Sequence, residues 1–131
     1  MDKKTNIAIQ TTLNQIGVPH SLKGYMYLVS AIDKCIADRS KVNHITKVLY
    51  KEIADENFDT VSRTERAIRH AIEVSWNRGN ISVINKIFEY TVVAEKGRPT
   101  NSEFIALVTD FISIRMDEIV DGTYRWNGGG E

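Results

Sequence analysis

The sequence predicts an all-α domain, and three observations support this. Apolar residues recur at three- and four-residue spacing through most of the chain, the period of helices with one buried face. Only two prolines and eight glycines interrupt the pattern, and three of those glycines stand together at Gly128-Gly129-Gly130. A Ser or Thr followed three residues later by Glu, a capping-box pattern, stands at Ser62/Glu65 and Thr100/Glu103, where periodic stretches begin. The 131 residues, 42% of them hydrophobic, suffice for one core. The expected architecture is a six-helix domain over residues 1–120 with a central helix-turn-helix, winged-helix-like in role and without strands. A flexible tail is expected over 121–131.

The elements follow in order. Segment 3–16 carries Ile7, Ile9, Leu13 and Ile16, and Gly17 and Pro19 stop it. Segment 21–38 carries Leu22, Tyr25, Leu28, Val29, Ile32 and Ile36 and predicts a longer helix. Segment 43–57 carries Ile45, Val48, Leu49 and Ile53, with Asn43 as its expected N-cap. After a break at Phe58-Asp59-Thr60 a fourth helix spans 60–78, capped by Thr60 or Ser62 and ended by Gly79. A short helix over 80–88 and a loop over 90–99 precede the last helix, which Thr100-Asn101-Ser102-Glu103 opens behind Pro99.

Several chemistries find no support in the residues. His20, His44 and His70 are far apart and none has a histidine or cysteine at ligand spacing, so no metal site is expected. Cys35 is the only cysteine and lies in an apolar run, which fits a core residue better than a nucleophile. No glycine-rich phosphate loop follows a strand. The protein is not expected to be an enzyme or to need a cofactor. No signal peptide or membrane span is evident, and a cytoplasmic, nucleoid-associated location is expected. The formal net charge is zero, so binding to nucleic acid would have to come from a local patch.

Such a patch exists on the fourth helix. Stepping about 100° per residue puts Val61, Thr64, Ala67, Ile68, Ala71, Ile72 and Ser75 on one side. Arg63, Arg66, Arg69, His70 and Glu73 fall on the other. Segments 43–57 and 60–78 with their short break make a helix-turn-helix, whose second helix presents its first residues to base edges in the major groove. Arginine donates a bidentate pair to guanine and glutamate accepts from the cytosine amino group, chemistry that Arg63, Glu65 and Arg66 supply. Asp55, Glu56 and Asp59 crowd the preceding turn, which argues against placing that turn on the DNA backbone. A solvated helix face can also be rich in arginine, and the alternative is a helical protein-interaction module, an adaptor or inhibitor using the 80–93 surface.

The run Ser62-Arg63-Thr64-Glu65-Arg66-Ala67-Ile68-Arg69-His70-Ala71-Ile72-Glu73-Val74, with Trp76 and Arg78-Gly79-Asn80, is more specific than the wheel, and a binding test with duplex DNA separates the two classes. The run resembles the recognition helix of the DNA-binding effector domain of the stage-zero sporulation response regulator. Ile16-Gly17-Val18-Pro19, Lys23-Gly24-Tyr25, Ile45-Thr46-Lys47-Val48-Leu49-Tyr50 and Pro99-Thr100-Asn101-Ser102-Glu103-Phe104-Ile105 extend the likeness over roughly residues 7–112.

The resemblance implies sequence-specific binding to duplex promoter sites, with side-by-side copies on tandem sites. It implies Ser62, Arg63, Glu65 and Arg66 at the base-reading end, with Arg69 and His70 as accessory contacts, chiefly to phosphate. It also implies a contact between the segment after the recognition helix and the sigma subunit of RNA polymerase, for which Ile87, Phe88 and Val92 are the candidates. That segment departs from the family pattern at Val83, Asn85, Lys86 and Glu89, the last standing where glycine is usual, and Thr64 stands where an apolar residue is usual. Family proteins carry a receiver domain before this one. A chain opening on its own Met1 is therefore expected to be an excised domain or a stand-alone relative.

Overall fold

The caps that the sequence supplies set most of the helix boundaries. The computed structural model describes residues 1–88 and 97–126, and among these the chain is helical throughout, with no strand. Helix α1 (Lys3–Ile16) starts where the Asp2 carboxylate accepts from the Thr5 N–H at 2.7 Å, and ends at Gly17, whose φ of 104° is the left-handed conformation. Helix α2 (Lys23–Ala37) buries Tyr25, Leu28, Val29, Ile32 and Cys35 on a broad apolar surface. It is the central helix, packing against α1, α4 (Val61–Arg78) and α6 (Asn101–Asp121). Burial pushes the Cys35 thiol up to about 11, which suits the core role expected of it.

The segment expected as one helix over 43–57 is divided. A 3-10 turn (Arg39–His44) starts where the Asp38 side chain accepts from the Ser40 N–H, and Asn43 lies inside it rather than capping a helix. A π-type turn (Ile45–Leu49) follows and runs into α3 (Tyr50–Glu56). The wider turn keeps Ile45, Leu49, Tyr50 and Ile53 buried and rotates Val48, expected inside, to an exposed position.

Helix α5 (Ile81–Phe88) follows α4 after Gly79-Asn80 and buries Val83, Ile84 and Phe88. Helix α6 opens with the expected capping box: Thr100 accepts from the Glu103 N–H and the Glu103 carboxylate accepts from the Thr100 N–H. Its backbone departs from helical geometry at Arg115, whose guanidinium lies 4.5 Å from the Phe111 ring centre. In the described part of the expected tail, Tyr124 and Trp126 set their rings 5.4 and 5.8 Å from that of Phe111. The Lys86 ammonium donates to the Arg125 carbonyl and lies 5.0 Å from the Tyr124 ring, so this segment joins α6 to α5. No helix among the described residues is long and apolar enough to cross a membrane.

Candidate nucleic-acid interface

Helices α3 and α4 form the expected helix-turn-helix, and the turn shows how it is built without a glycine. Phe58 takes the left-handed conformation, φ 54°, a position that glycine or asparagine occupies at less cost. Its side chain is fully exposed. Asp59, the next residue, turns inward. Its carboxylate accepts from the Tyr27 hydroxyl at 2.6 Å and the Thr60 N–H at 2.8 Å, with Lys23 at 3.4 Å. These donors, the Tyr27 hydroxyl first, hold the Asp59 carboxyl below the ordinary carboxylate range. The acidic turn is thus neutralised: Asp59 faces α2, Asp55 pairs with Lys51 and Glu56 with Lys34.

Thr60 caps α4, its hydroxyl accepting from the Arg63 N–H at 3.1 Å. Ser62 does not cap it, and Glu65 turns instead to Arg69, at 2.8 Å. The buried side of α4 is Thr64, Ile68, Ala71, Ile72 and Ser75, as the wheel places it, except that Val61 is partly exposed.

Backbone-level contacts seat this helix. A Cβ at Gly24 of α2 would stand 2.1 Å from the Ala67 carbonyl oxygen and 2.9 Å from the Ala71 Cβ, so α2 and α4 cross at a distance only glycine allows. At the other end a Cβ at Gly79 would stand 2.2 Å from the Ser75 oxygen and 2.3 Å from the Ile16 oxygen. The Asn80 N–H donates to that same Ile16 carbonyl at 3.0 Å. Near its start, the Asn101 amide donates to the Glu65 carbonyl at 3.1 Å and to the Tyr50 hydroxyl at 2.9 Å. The Trp76 indole N–H donates to the Gly97 carbonyl at 3.0 Å.

The outward side carries the sequence-predicted residues together. Ser62, Arg63, Arg66, Arg69 and His70 are exposed and Glu65 is half-buried. The Arg66 guanidinium donates to the Ser62 hydroxyl at 3.3 Å, and Arg69 is held by Glu65. Among the described residues the Arg63 guanidinium and the His70 ring have no side-chain partner. Glu73, on the same side, pairs with Arg98 at 2.8 Å.

The polymerase candidates are not gathered with these. Phe88 is 2% exposed and sits between Phe104 and Trp76, ring centres 5.5 and 5.1 Å away, so its ring belongs to the core. Ile87 is half-buried on α5. Val92, and Glu89 with it, lie outside the described residues. No group of three or more His, Cys, Asp or Glu side chains that could hold a metal occurs among the described residues.

Sequence reasoning missed the residues that seat α4: Gly24, Gly79, Asn101, Trp76 and Asp59. A glycine in the first turn of a predicted helix was the available signal, since it weakens the helix unless another backbone comes close. The polar anchors carry no such signal, because the partners that seat them are 21 to 51 residues away. The model of the sporulation initiation factor Spo0A C-terminal family matches residues 9–112, a range that takes in the helix-turn-helix, all of these anchors and the first half of α6. The chain belongs to the sporulation initiation factor Spo0A C-terminal family.

Proposed function

We propose that this chain is a sequence-specific duplex-DNA-binding regulator of transcription, of the sporulation-initiation type, that seats α4 in the major groove. One observation carries it. The second helix of a helix-turn-helix presents Arg63, Arg66, Arg69 and His70 outward while its inner side is locked at backbone contact. Ser62, Arg63, Glu65 and Arg66 occupy the first turns, and of these Arg63, Glu65 and Arg66 read base edges. Arg69 and His70, further along, hold phosphate. The Glu65–Arg69 pair fixes the carboxylate that would accept from a cytosine amino group.

With zero net charge the domain makes few phosphate contacts, so one copy binds weakly and in a salt-sensitive way, and tandem sites bring two copies together. The test is fluorescence anisotropy on the preferred duplex and on random duplex. Arg66→Ala is expected to cost roughly 1–3 kcal/mol on the preferred site and little on random DNA. Arg69→Ala is expected to weaken both alike. A uniform loss in Arg66→Ala removes it from the base readers, and no binding of the unchanged chain to any duplex leaves the adaptor reading.

Transcriptional output is proposed to run through Ile87 and Val92. The α5 surface differs from the family pattern at Lys86, which the 124–125 segment engages, so weak activation is expected. A domain that fills the site without recruiting polymerase competes with a full activator. In vitro transcription distinguishes these: strong stimulation by this chain alone removes the competitor reading.

A further inference from the structure

Residues 97–101 run as a ledge along one side of α4. Gly97 is held by Trp76, Arg98 by Glu73 and Asn101 by its bond to the Glu65 carbonyl. Glu65, Arg69, Glu73 and Trp76 lie at successive four-, four- and three-residue steps, one stripe of the helix. The exposed stripe of Arg63, Arg66 and His70 lies directly beside it. Between ledge and helix is an open cavity of about 640 Å³. Ser62, Glu65 and Arg69 line it from α4, Arg98 from the ledge and Ser102 from the first turn of α6, over Tyr50 and Pro99.

An α-helix with its side chains is about 10–12 Å across and the major groove about 12 Å wide, so a seated helix has a sugar-phosphate strand close along each flank. The ledge is fixed to one flank of α4 and must meet the strand on that side. The lining of the cavity carries the guanidinium groups of Arg69 and Arg98 and the exposed hydroxyls of Ser62, Thr100 and Ser102, all donors that suit a phosphate oxygen. One carboxylate, Glu65, shares the cavity, but Arg69 neutralises it. Arg98 is 45% exposed in its side chain and bonds Glu73 through one nitrogen, which leaves further N–H donors for a second anion.

We propose that this cavity is a DNA-backbone clamp in which Arg98 and Ser102, with Arg69 opposite, hold one phosphate of the strand flanking α4. The proposal rests on the major-groove seating of α4 given above. It adds a second element of the fold to the interface, distant in sequence from the recognition helix. Arg98 and Ser102 position the duplex and carry no base preference.

The test measures duplex affinity against salt for the unchanged chain, Arg98→Gln and Ser102→Ala, with thermal unfolding of each as a check on folding. Arg98→Gln is expected to bind about tenfold more weakly on preferred and random duplex alike, near 0.1 M salt. Its slope of log affinity against log salt is expected to fall by about 0.9. Ser102→Ala is expected to lose affinity about threefold with the slope unchanged, as for a neutral hydrogen bond.

Duplexes carrying a single neutral methylphosphonate, stepped along each strand, then locate the contact. At one position the neutral linkage is expected to weaken the unchanged chain and add nothing to Arg98→Gln. The clamp is overturned if Arg98→Gln keeps both affinity and slope while Arg66→Ala still loses the preferred site. A loss confined to the preferred site, or the lack of any methylphosphonate position that Arg98→Gln masks, overturns it equally. A chain that binds no duplex at all overturns the seating of α4 as well, which separates the two failures.

Discussion

Helices α4 and α5 are neighbours in sequence and differ in how they are held. Backbone fixes α4. Gly24 and Gly79 bring main-chain atoms into contact on its inner side and at its end, and Asn101 bonds its main chain near the start. Side chains fix α5: Val83, Ile84 and Phe88 go into the core, and Lys86 reaches the 124–125 segment. Backbone contact leaves no rotamer to adjust, so α4 is held rigidly, as the proposed hydrogen bonding to base edges requires. Side-chain contact allows repacking, and a helix so held tolerates substitution. The residues read above as departures in the resemblance, Val83, Asn85 and Lys86, stand on the second kind of helix.

The comparison breaks most directly at Gly24. In Gly24→Ala the new methyl must displace the Ala67 carbonyl, and the α2–α4 seam opens along its length. We expect a loss of about 3 kcal/mol or more, from overpacking against backbone, read as a lower urea midpoint. Lys86→Ala, by contrast, should cost less than about 1 kcal/mol, because an ammonium over the half-buried Tyr124 ring and one exposed hydrogen bond contribute little. If the two variants lost similar stability, the distinction between the helices would fail.

A smaller effect tests the turn. Tyr27→Phe removes the shortest hydrogen bond to Asp59, between α2 and the helix-turn-helix, and is expected to cost about 1–2 kcal/mol at neutral pH. The sign of its pH dependence follows from the lowered Asp59 pKa. The stability that Asp59 contributes is present above the unfolded aspartate pKa, about 3.9, and is lost as pH falls through the lower folded value. Below that value the charge-assisted bond is gone in both proteins, so the gap between unchanged chain and Tyr27→Phe should narrow on acidification. Urea titrations at pH 7 and near pH 3 measure it, and a gap that stayed constant would mean that Asp59 is not the partner that matters.

The legible part of this molecule is whatever repeats locally. The three- and four-residue spacing located the apolar side of α4 and gathered Arg63, Arg66, Arg69 and His70 on the other, because a helix converts sequence spacing into direction. The caps at Asp2, Thr60 and Thr100 are local too, although only the last two announced themselves as Thr at the head of a periodic run. Spacing misjudged 43–57 because apolar residues at 45, 48, 49 and 53 fit a regular helix, and one wider turn changes which of them face inward. The ledge was invisible for another reason. Gly97, Arg98 and Asn101 carry no pattern of their own, and their meaning comes from Trp76, Glu73 and Glu65 on a different element.

An effect of opposite sign is expected inside the locked side of α4, at Thr64. Its side chain is wholly buried, and its hydroxyl has no hydrogen-bond partner among the described residues. A helical threonine usually returns its hydroxyl to the carbonyl four residues back. Thr12 does this in α1, donating to the Ala8 carbonyl at 2.8 Å, whereas the Thr64 hydroxyl makes no such bond. The hydroxyl is therefore desolvated without compensation. Valine has the same branched shape and no hydroxyl. Thr64→Val is expected to raise stability by about 1 kcal/mol, with the urea slope unchanged because no surface is gained or lost. Duplex affinity should stay the same, since Thr64 faces the core and the proposed base-reading residues face away. A gain in stability with unaltered DNA binding sharpens the contrast: the inner side of α4 is fixed by its backbone contacts and indifferent to this one group. A loss of stability would mean that the hydroxyl has a partner, with an internal water as the first to seek, and that the side chains of this seam are as constrained as its glycines.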